Sequence, residues 1–389
     1  MEDKLFKLLK GGICYNPKYL GKKDILIIKD IIYRIEDSIP EEKAYEIESI
    51  DLKGKIVCPG LIDQHVHITG GGGEEGPVSR VPELMLSEIV AAGITTVVGV
   101  LGFDSITRSI SGLLAKARSL EAEGLNTYIY TGSYGVPTAT LTGEIATDIS
   151  LIDKVIGVGE IAISDHRSSH PSPEMLRAIA YQARAGGLTG KKAGVFHIHV
   201  GDGKNGLGPL NELTENSDFP LEMFVPTHLN RNRQLFDQAV NYALKGGYVD
   251  FTAGQTSETG YTVPDALEKI FNCGVNTDNI TVSSDGNGSI PAKGGNKPEV
   301  GRVNQLFTDI VNSILLKKLD IESVLKTVTS NTAKVLKIYP KKGVLSPGSD
   351  ADLLILDEGS LKISAVLING EFFVKDGKVI RKGIFDKQN

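Results

Sequence analysis

The chain has 389 residues, with 42 Lys and Arg against 48 Asp and Glu and a net charge of −6. That length accommodates a large barrel plus an appended domain, and the acidic balance argues against a protein that holds nucleic acid or anionic membrane by its overall field. No apolar stretch reaches the length of a membrane span, and the start M-E-D-K-L-F-K-L-L-K breaks its apolar residues with charges, so a cytoplasmic protein with small-molecule or peptide partners is expected. Cys14, Cys58 and Cys273 are widely spaced and form no C-x-x-C pattern, which suggests neither a disulfide framework nor a thiolate zinc site.

Residues 1–57 contain I-L-I-I and I-I-Y-R-I, short strand-like runs without helices. Beyond them, β-branched runs alternate with amphipathic stretches. The strands predicted are Ile56–Ile68, Thr95–Leu101, Thr127–Thr131, Val155–Ser164, Val195–Val200, Phe224–Leu229, Tyr248–Thr252 and Ile280–Ser284. Helices are predicted at Arg80–Ala92, Ile106–Glu123, Pro173–Ala185, Arg233–Lys245, Val263–Asn272 and Val303–Lys318. Eight βα units of this length fit a (β/α)8 TIM barrel over residues 58–338 better than an open sheet. Residues 339–389 return to strands, A-D-L-L-I-L and A-V-L-I-N-G-E-F-F-V-K-D-G-K-V-I, with N-G and D-G turn signals. Because neither flank offers many strands, both ends are expected to meet in one small β-sandwich domain.

The motif D-Q-H-V-H puts His65 and His67 on one face of the first barrel strand, since successive strand residues alternate, and two imidazoles there can share a metal. Two solvent-side histidines are the plainer alternative. In F-H-I-H-V-G-D, His199 is the expected ligand and His197, one pleat deeper, a packed group; His228 follows in V-P-T-H-L-N-R-N. Asp285 comes directly after the last strand, at the rim where barrel active sites sit, although D-G is also an ordinary turn. Imidazole and carboxylate donors favour two divalent ions, zinc first, without excluding manganese, cobalt or iron. Two close cations need an anion between them, and Glu160, the lone acid in V-I-G-V-G-E-I-A-I, is placed to bridge.

The run T-G-G-G-G-E-E-G-P carries Glu74 and Glu75 on a loop that is either a ligand-approaching backbone or a mobile lid; its acids suit an ammonium and would repel phosphate. Arg167 and Arg231, beyond the fourth and sixth strands, suggest a substrate with two carboxylates, with surface ion pairs as the alternative.

Together, P-G-L-I-D-Q-H-V-H, T-G-S-Y, I-S-D-H-R-S, P-T-H-L-N-R-N and S-S-D-G-N-G-S resemble the isoaspartyl (β-aspartyl) dipeptidases of the amidohydrolase superfamily, over almost the whole chain. The resemblance implies a hydrolase with a (β/α)8 barrel, a small β-sandwich and two zinc ions, in which a metal-bridging hydroxide cleaves β-aspartyl dipeptides. It further implies that His65 and His67 bind one ion, His199 and His228 the other, and that Asp285 completes the site and carries the proton. It assigns Tyr134 to the oxyanion, Glu74 with Ser289 and the backbone near Gly72 to the substrate amine, and Arg167 and Arg231 to its carboxylates. A homo-oligomer is implied, with an octamer as the candidate assembly.

Two departures stand out. Where the family uses a carbamylated lysine as the bridge, this chain has Glu160, about three atoms shorter, and I-G-V-G-E carries one residue more than the family's run, which suggests a bulge. Aligned instead on I-G-V, the lysine position falls on Gly159. Phe103 replaces a small polar residue near the substrate, which would alter preference for the leaving residue. The rivals are another amidohydrolase, such as a cyclic-amide hydrolase or an N-acyl-amino-acid deacylase, and a non-catalytic assembly protein on the same fold.

Overall fold

The computed structural model describes residues 5–41, 46–290 and 299–387. Both ends of the chain feed one nine-stranded sheet. Its strands are β1 (Phe6–Tyr15), β2 (Tyr19–Ile28), β3 (Ile31–Glu36), β4 (Ile47–Asp51) and β5 (Lys55–Pro59) from the start of the chain. The middle of the chain supplies β6 (Leu61–Val66), β7 (Ile94–Gly99), β8 (Asn126–Thr131), β9 (Val155–Ile163), β10 (Val195–Val200), β11 (Phe224–Thr227), β12 (Val249–Thr252) and β13 (Ile280–Ser283). A short ribbon, β14 (Ser289–Ile290) with β15 (Glu299–Val300), follows. The nine-stranded sheet is completed by β16 (Leu353–Asp357), β17 (Ile363–Ile368), β18 (Glu371–Lys375) and β19 (Lys378–Val379).

The predicted strand Ile56–Ile68 is two strands. Antiparallel pairing with β16 keeps β5 in the terminal sheet, whereas β6 turns away at Gly60 to pair in parallel with β7. Asn369-Gly370 and Asp376-Gly377 turn β17 into β18 and β18 into β19, as their sequence signals predict. This sheet packs around its own apolar cluster, Leu9, Ile25, Ile27, Ile32, Val57, Leu353 and Leu367 among them.

Strands β6 to β11 form a parallel sheet in chain order, and β12 pairs in parallel with β13. β12 lies against β11 and β13 against β6, with a parallel bridge from Val66 to Gly286, so the eight strands curl into a barrel-like ring. Both faces are covered, and the strands accordingly read as continuous apolar runs. Ile62, Val98, Tyr130, Ile156, Val195 and Val225 belong to one apolar cluster, and a larger cluster joins the strands to the helices. All six predicted helices are present with altered bounds: Arg80–Ala92 shrinks to the turn and a half of Leu86–Ala91, whereas the helix predicted at Pro173–Ala185 runs on to Thr189. Four helices among the described residues, Ile145–Leu151, Gly208–Glu215, Ile321–Lys326 and Ser330–Val335, are not predicted from sequence, because each is too short to display a helical period.

Helix caps end the loops that matter for function. Ser172 accepts from the Met175 amide with Pro173 behind it, and Asn232 accepts from the Leu235 amide directly after Arg231. No helix among the described residues is long and apolar enough to cross a membrane.

Cys14 and Cys58 are buried, and burial pushes both thiols up to about 12, whereas Cys273 is exposed. A thiol reagent at neutral pH is therefore expected to label only Cys273 in the native protein, and all three cysteines in denaturant. Native labelling of Cys14 or Cys58, read by intact-mass spectrometry, would show that these cores open.

Candidate metal centre and active site

Glu160 lies inside the ring at the C-terminal half of β9, and the strand is shaped to put it there. Between the pairings Val158 with Phe196 and Ile161 with Ile198, β9 holds two residues where β10 holds one, a β-bulge at Gly159–Glu160. The extra residue anticipated in I-G-V-G-E is this bulge. Gly159 has no room for a side chain: a Cβ there would sit 2.6 Å from the His197 Cβ. Position 159 therefore admits no lysine, and Glu160 is the residue of this pair whose side chain faces the histidines. Lys154 stands at the opposite end of the strand, its ammonium on Glu121 and over the Tyr128 ring.

The two Glu160 oxygens face different histidines. Oε1 is 3.4 Å from His65 Nε2 and 3.5 Å from His67 Nε2, while Oε2 is 3.1 Å from His199 Nδ1 and 3.8 Å from His228 Nε2. Donor atoms of His65, His67 and Glu160 lie within 4.8 Å of one another, and so do those of Glu160, His199 and His228. Asp285 joins the first group, with Oδ1 3.1 Å from His67 Nε2 and 3.4 Å from His65 Nε2. Gly102, at φ +80°, lets the strand end pass under this group; a Cβ there would meet the His67 ring at 2.6 Å.

The donor set fits divalent cations. His65 Nε2 and Glu160 Oε1 are buried, face each other, and have no hydrogen-bond partner among the described residues. A buried acceptor left in that state costs about 1–3 kcal/mol unless something else binds it. Burial penalises a charged His65, but Glu160, then Asp285 and Asp250, outweigh it and push the imidazolium up to about 9. Burial, with Arg231 and His199 nearby, pushes His228 down to about 3, leaving it a neutral ligand. Glu160 and Asp285 are both held well below the usual carboxylate range despite burial, Glu160 chiefly by the charge of His65 and Asp285 chiefly by the hydrogen bond to His67. Two ionised acids amid four imidazoles make a site that a cation completes.

Three of the four imidazoles are also fixed from behind, whereas His67 Nδ1 is buried with no hydrogen-bond partner among the described residues. His197, buried one pleat deeper as anticipated, meets His65 Nδ1 through its Nε2 at 2.9 Å and stacks on Tyr130. His228 Nδ1 meets Thr252 Oγ1 at 2.7 Å, and Thr252 is itself held by Asn230. His199 Nε2 donates to Asp165 Oδ2 at 2.9 Å. Asp165 and Thr252 were not singled out from sequence: the acid sat unremarked within I-S-D-H-R-S, and a threonine 24 residues from its histidine leaves no local signal.

Around this centre stand the other predicted residues. The Tyr134 hydroxyl lies 2.8 Å from His199 Nδ1, and burial, followed by Glu160, keeps its phenol protonated. Phe103 packs edge-on against Tyr134 at 6.0 Å. Glu74 Oε1 accepts from Ser289 Oγ at 2.9 Å and from Arg167 Nη1 at 3.1 Å, beside the buried loop that contains Gly72. Arg167 also donates from Nε and Nη2 to Asp165 at 3.0 and 2.9 Å. The guanidinium of Arg231 has no ion pair or hydrogen bond among the described residues. The two arginines therefore differ: one is already oriented by acids, the other is free to meet an anion.

The chain is similar to several known proteins. The sequence pattern of the amidohydrolase family matches residues 259–386. The solved β-aspartyl dipeptidase of the thermophilic, keratin-degrading Fervidobacterium islandicum AW-1, in complex with β-Asp-Leu dipeptide, is 46% identical with a TM-score of 0.90, covering 96% of this chain and 98% of that one. A dihydropyrimidinase from Brevibacillus agri NCHU1002, 15% identical with a TM-score of 0.68 over 97% and 96% of the two chains, shares the fold alone. The dihydroorotase of Lactobacillus leichmannii is 29% identical over 180 residues, 46% of this chain and 39% of its own length. This chain thus spans about half or less of the curated dihydroorotases it matches. Identity of 46% over nearly the full length of both partners means that this chain belongs to the β-aspartyl dipeptidase family of the amidohydrolases.

Proposed function

We propose that this chain hydrolyses the isopeptide bond of β-aspartyl dipeptides with the help of two divalent cations, zinc by preference. The observation that carries the reading is Glu160, whose two oxygens each face a separate histidine pair. Similarity to a dipeptidase solved with β-Asp-Leu supports the substrate. His65 and His67 would hold one cation with Glu160 Oε1 and Asp285; His199 and His228 would hold the other with Glu160 Oε2. Imidazole and carboxylate donors without thiolate suit zinc. Such ions, when bound, supply a water acidified to near neutral pH and a polarised carbonyl.

The chain's own residues do the rest. Asp285 accepts a proton from the attacking water and returns it to the nitrogen of the leaving amine. Tyr134 donates its O–H to the oxyanion. Glu74, with Ser289 and the backbone near Gly72, receives the α-ammonium. Arg231 receives one carboxylate, and Arg167 the other through the Nη1 arm that Asp165 leaves free. Phe103 borders the space for the leaving residue. The same reading takes the eight strands as a closed (β/α)8 barrel, residues 58–338, between the halves, 1–57 and 339–389, of a small β-sandwich whose separate apolar cluster supports that division. It extends to a homo-oligomer working in the cytoplasm.

The partial match to dihydroorotases favours a second reading, a cyclic-amide hydrolase. Against it, a neutral ring would leave the Arg231 guanidinium without a charged partner. Offering β-Asp-Leu, α-Asp-Leu and a cyclic amide to one preparation, with metal content measured on the same sample, separates the two. Hydrolysis of the β-linked peptide alone, with about two transition-metal ions per chain, is expected. Turnover of the cyclic amide without β-Asp-Leu would overturn the proposal.

A further inference from the structure

Asp165 has no place in the reaction as described, yet it is one of the most heavily engaged acids in the molecule. It is 5% exposed and lies two residues past the end of β9. One oxygen, Oδ2, accepts from His199 Nε2 at 2.9 Å and from Arg167 Nη2 at 2.9 Å. The other, Oδ1, accepts from the Arg167 backbone amide at 2.8 Å and its Nε at 3.0 Å. Four donors on one carboxylate hold it well below the usual carboxylate range in spite of its burial, His199 and Arg167 being the main causes.

Two consequences follow from this geometry. By accepting the Nε2 proton, Asp165 fixes the tautomer of His199, so that the lone pair sits on Nδ1, the atom turned to Glu160 Oε2 at 3.1 Å. By engaging Nε and Nη2, it leaves Nη1 as the one arm of Arg167 not bonded to Asp165, and that arm donates to Glu74, the proposed ammonium partner, at 3.1 Å. The guanidinium also stands over the Tyr134 ring, 5.2 Å from its centre, so the whole arm is held between the acid and the aromatic face.

We infer that Asp165 is a positioning residue which sets the His199–His228 cation site and the substrate-facing arm of Arg167 through one carboxylate. The inference rests on the two-cation reading above. It separates the two histidine pairs: His65 is backed by neutral His197, His228 by Thr252 and His67 Nδ1 by no hydrogen-bond partner, so among the described residues His199 alone of the four is backed by an anion. The same carboxylate ties substrate recognition to one half of the metal centre, because moving it disturbs both His199 and Arg167.

Asp165→Asn tests this. Asparagine has the same shape, but its amide nitrogen is a donor and cannot face either the imidazole N–H or the guanidinium. Metal-free protein would be titrated with Co2+ and followed by its visible absorption, with a thermal melt of each metal-free form. The expected result is one site unchanged and the other weakened by roughly 10- to 100-fold. At saturating Co2+, KM for β-Asp-Leu should rise by about tenfold while kcat stays within about threefold, as for lost uniform binding. Asp165→Ser, smaller and equally unable to hold both donors, should repeat the pattern if the asparagine variant folds poorly. Unchanged sites and KM would overturn the inference, and so would equal weakening of both sites with a lowered melting temperature, the mark of a purely structural role. If the parent protein takes up no Co2+, the two-cation reading itself falls and this inference with it; if the parent takes up two ions and Asp165→Asn matches it, only the role of Asp165 falls.

Discussion

Glu160→Gln is expected to lower turnover of β-Asp-Leu by about a thousandfold or more, a loss of several kcal/mol in the barrier, and to leave one transition-metal ion per chain or fewer. Glutamine fits the same fully buried space, so the change is one of charge rather than shape. One of its two ends becomes an NH2 group, which offers no lone pair to whichever histidine pair it faces. The electrostatic loss is larger. Two doubly charged ions at the spacing usual for two-metal sites, about 4 Å, would repel by on the order of 15 kcal/mol at an effective dielectric of about 20, and Glu160 is the carboxylate common to both donor groups. Metal analysis and kinetics on one preparation check this. A variant that kept two ions and most of its rate would remove Glu160 from the bridge.

With Glu160 as the proposed bridge, activity is expected to be independent of bicarbonate. A carbamylated lysine needs CO2, but Glu160 does not, and Lys154 at the far end of β9 is committed to Glu121. Stimulation of the parent protein by bicarbonate would mean that a lysine does the bridging after all.

How much of this was legible in the sequence depended on how local each feature is. The pairing of His65 with His67 follows from strand alternation alone, and the choice of His199 over His197 from depth along the same strand. The bulge under Glu160 was readable as one surplus residue in I-G-V-G-E, because a bulge adds a residue to one strand only. The break at Gly60 was not, since β5 and β6 are both apolar runs and only their partners, β16 and β7, differ. Arg167 and Arg231 looked alike for a related reason. What distinguishes them is that the Arg167 fork meets Asp165 and Glu74, and the second of these lies 93 residues away. Thr252 behind His228 is likewise a product of two strands lying side by side, and no spacing within either strand records it.

Asp285→Asn is expected to reduce kcat by roughly 10²- to 10⁴-fold, the usual weight of a general base, while metal content stays close to that of the parent. Asparagine keeps an oxygen toward His65 and His67, so the cation site retains a donor, but it cannot take a proton. Asp285 is suited to that task by position more than by basicity. It is partly exposed at the mouth of the ring, and the hydrogen bond with His67 and the charge of His65 outweigh its partial desolvation and keep it ionised throughout the neutral range. A weak base suffices where the water it serves is itself acidified to near neutral pH. Because the substrate contacts proposed for Glu74, Arg167 and Arg231 are untouched, KM should change by less than about threefold, and the loss should fall in kcat and kcat/KM alike. The direction in pH follows from the same cause: a group held below the ordinary carboxylate range is deprotonated above that range, so its protonation should not limit the rate at neutral pH and should do so only under strongly acid conditions. Measuring kcat, KM and metal content of Asp285→Asn together decides the matter, since a variant that retains its metal and more than about a tenth of the parent kcat would assign the proton transfer to another group.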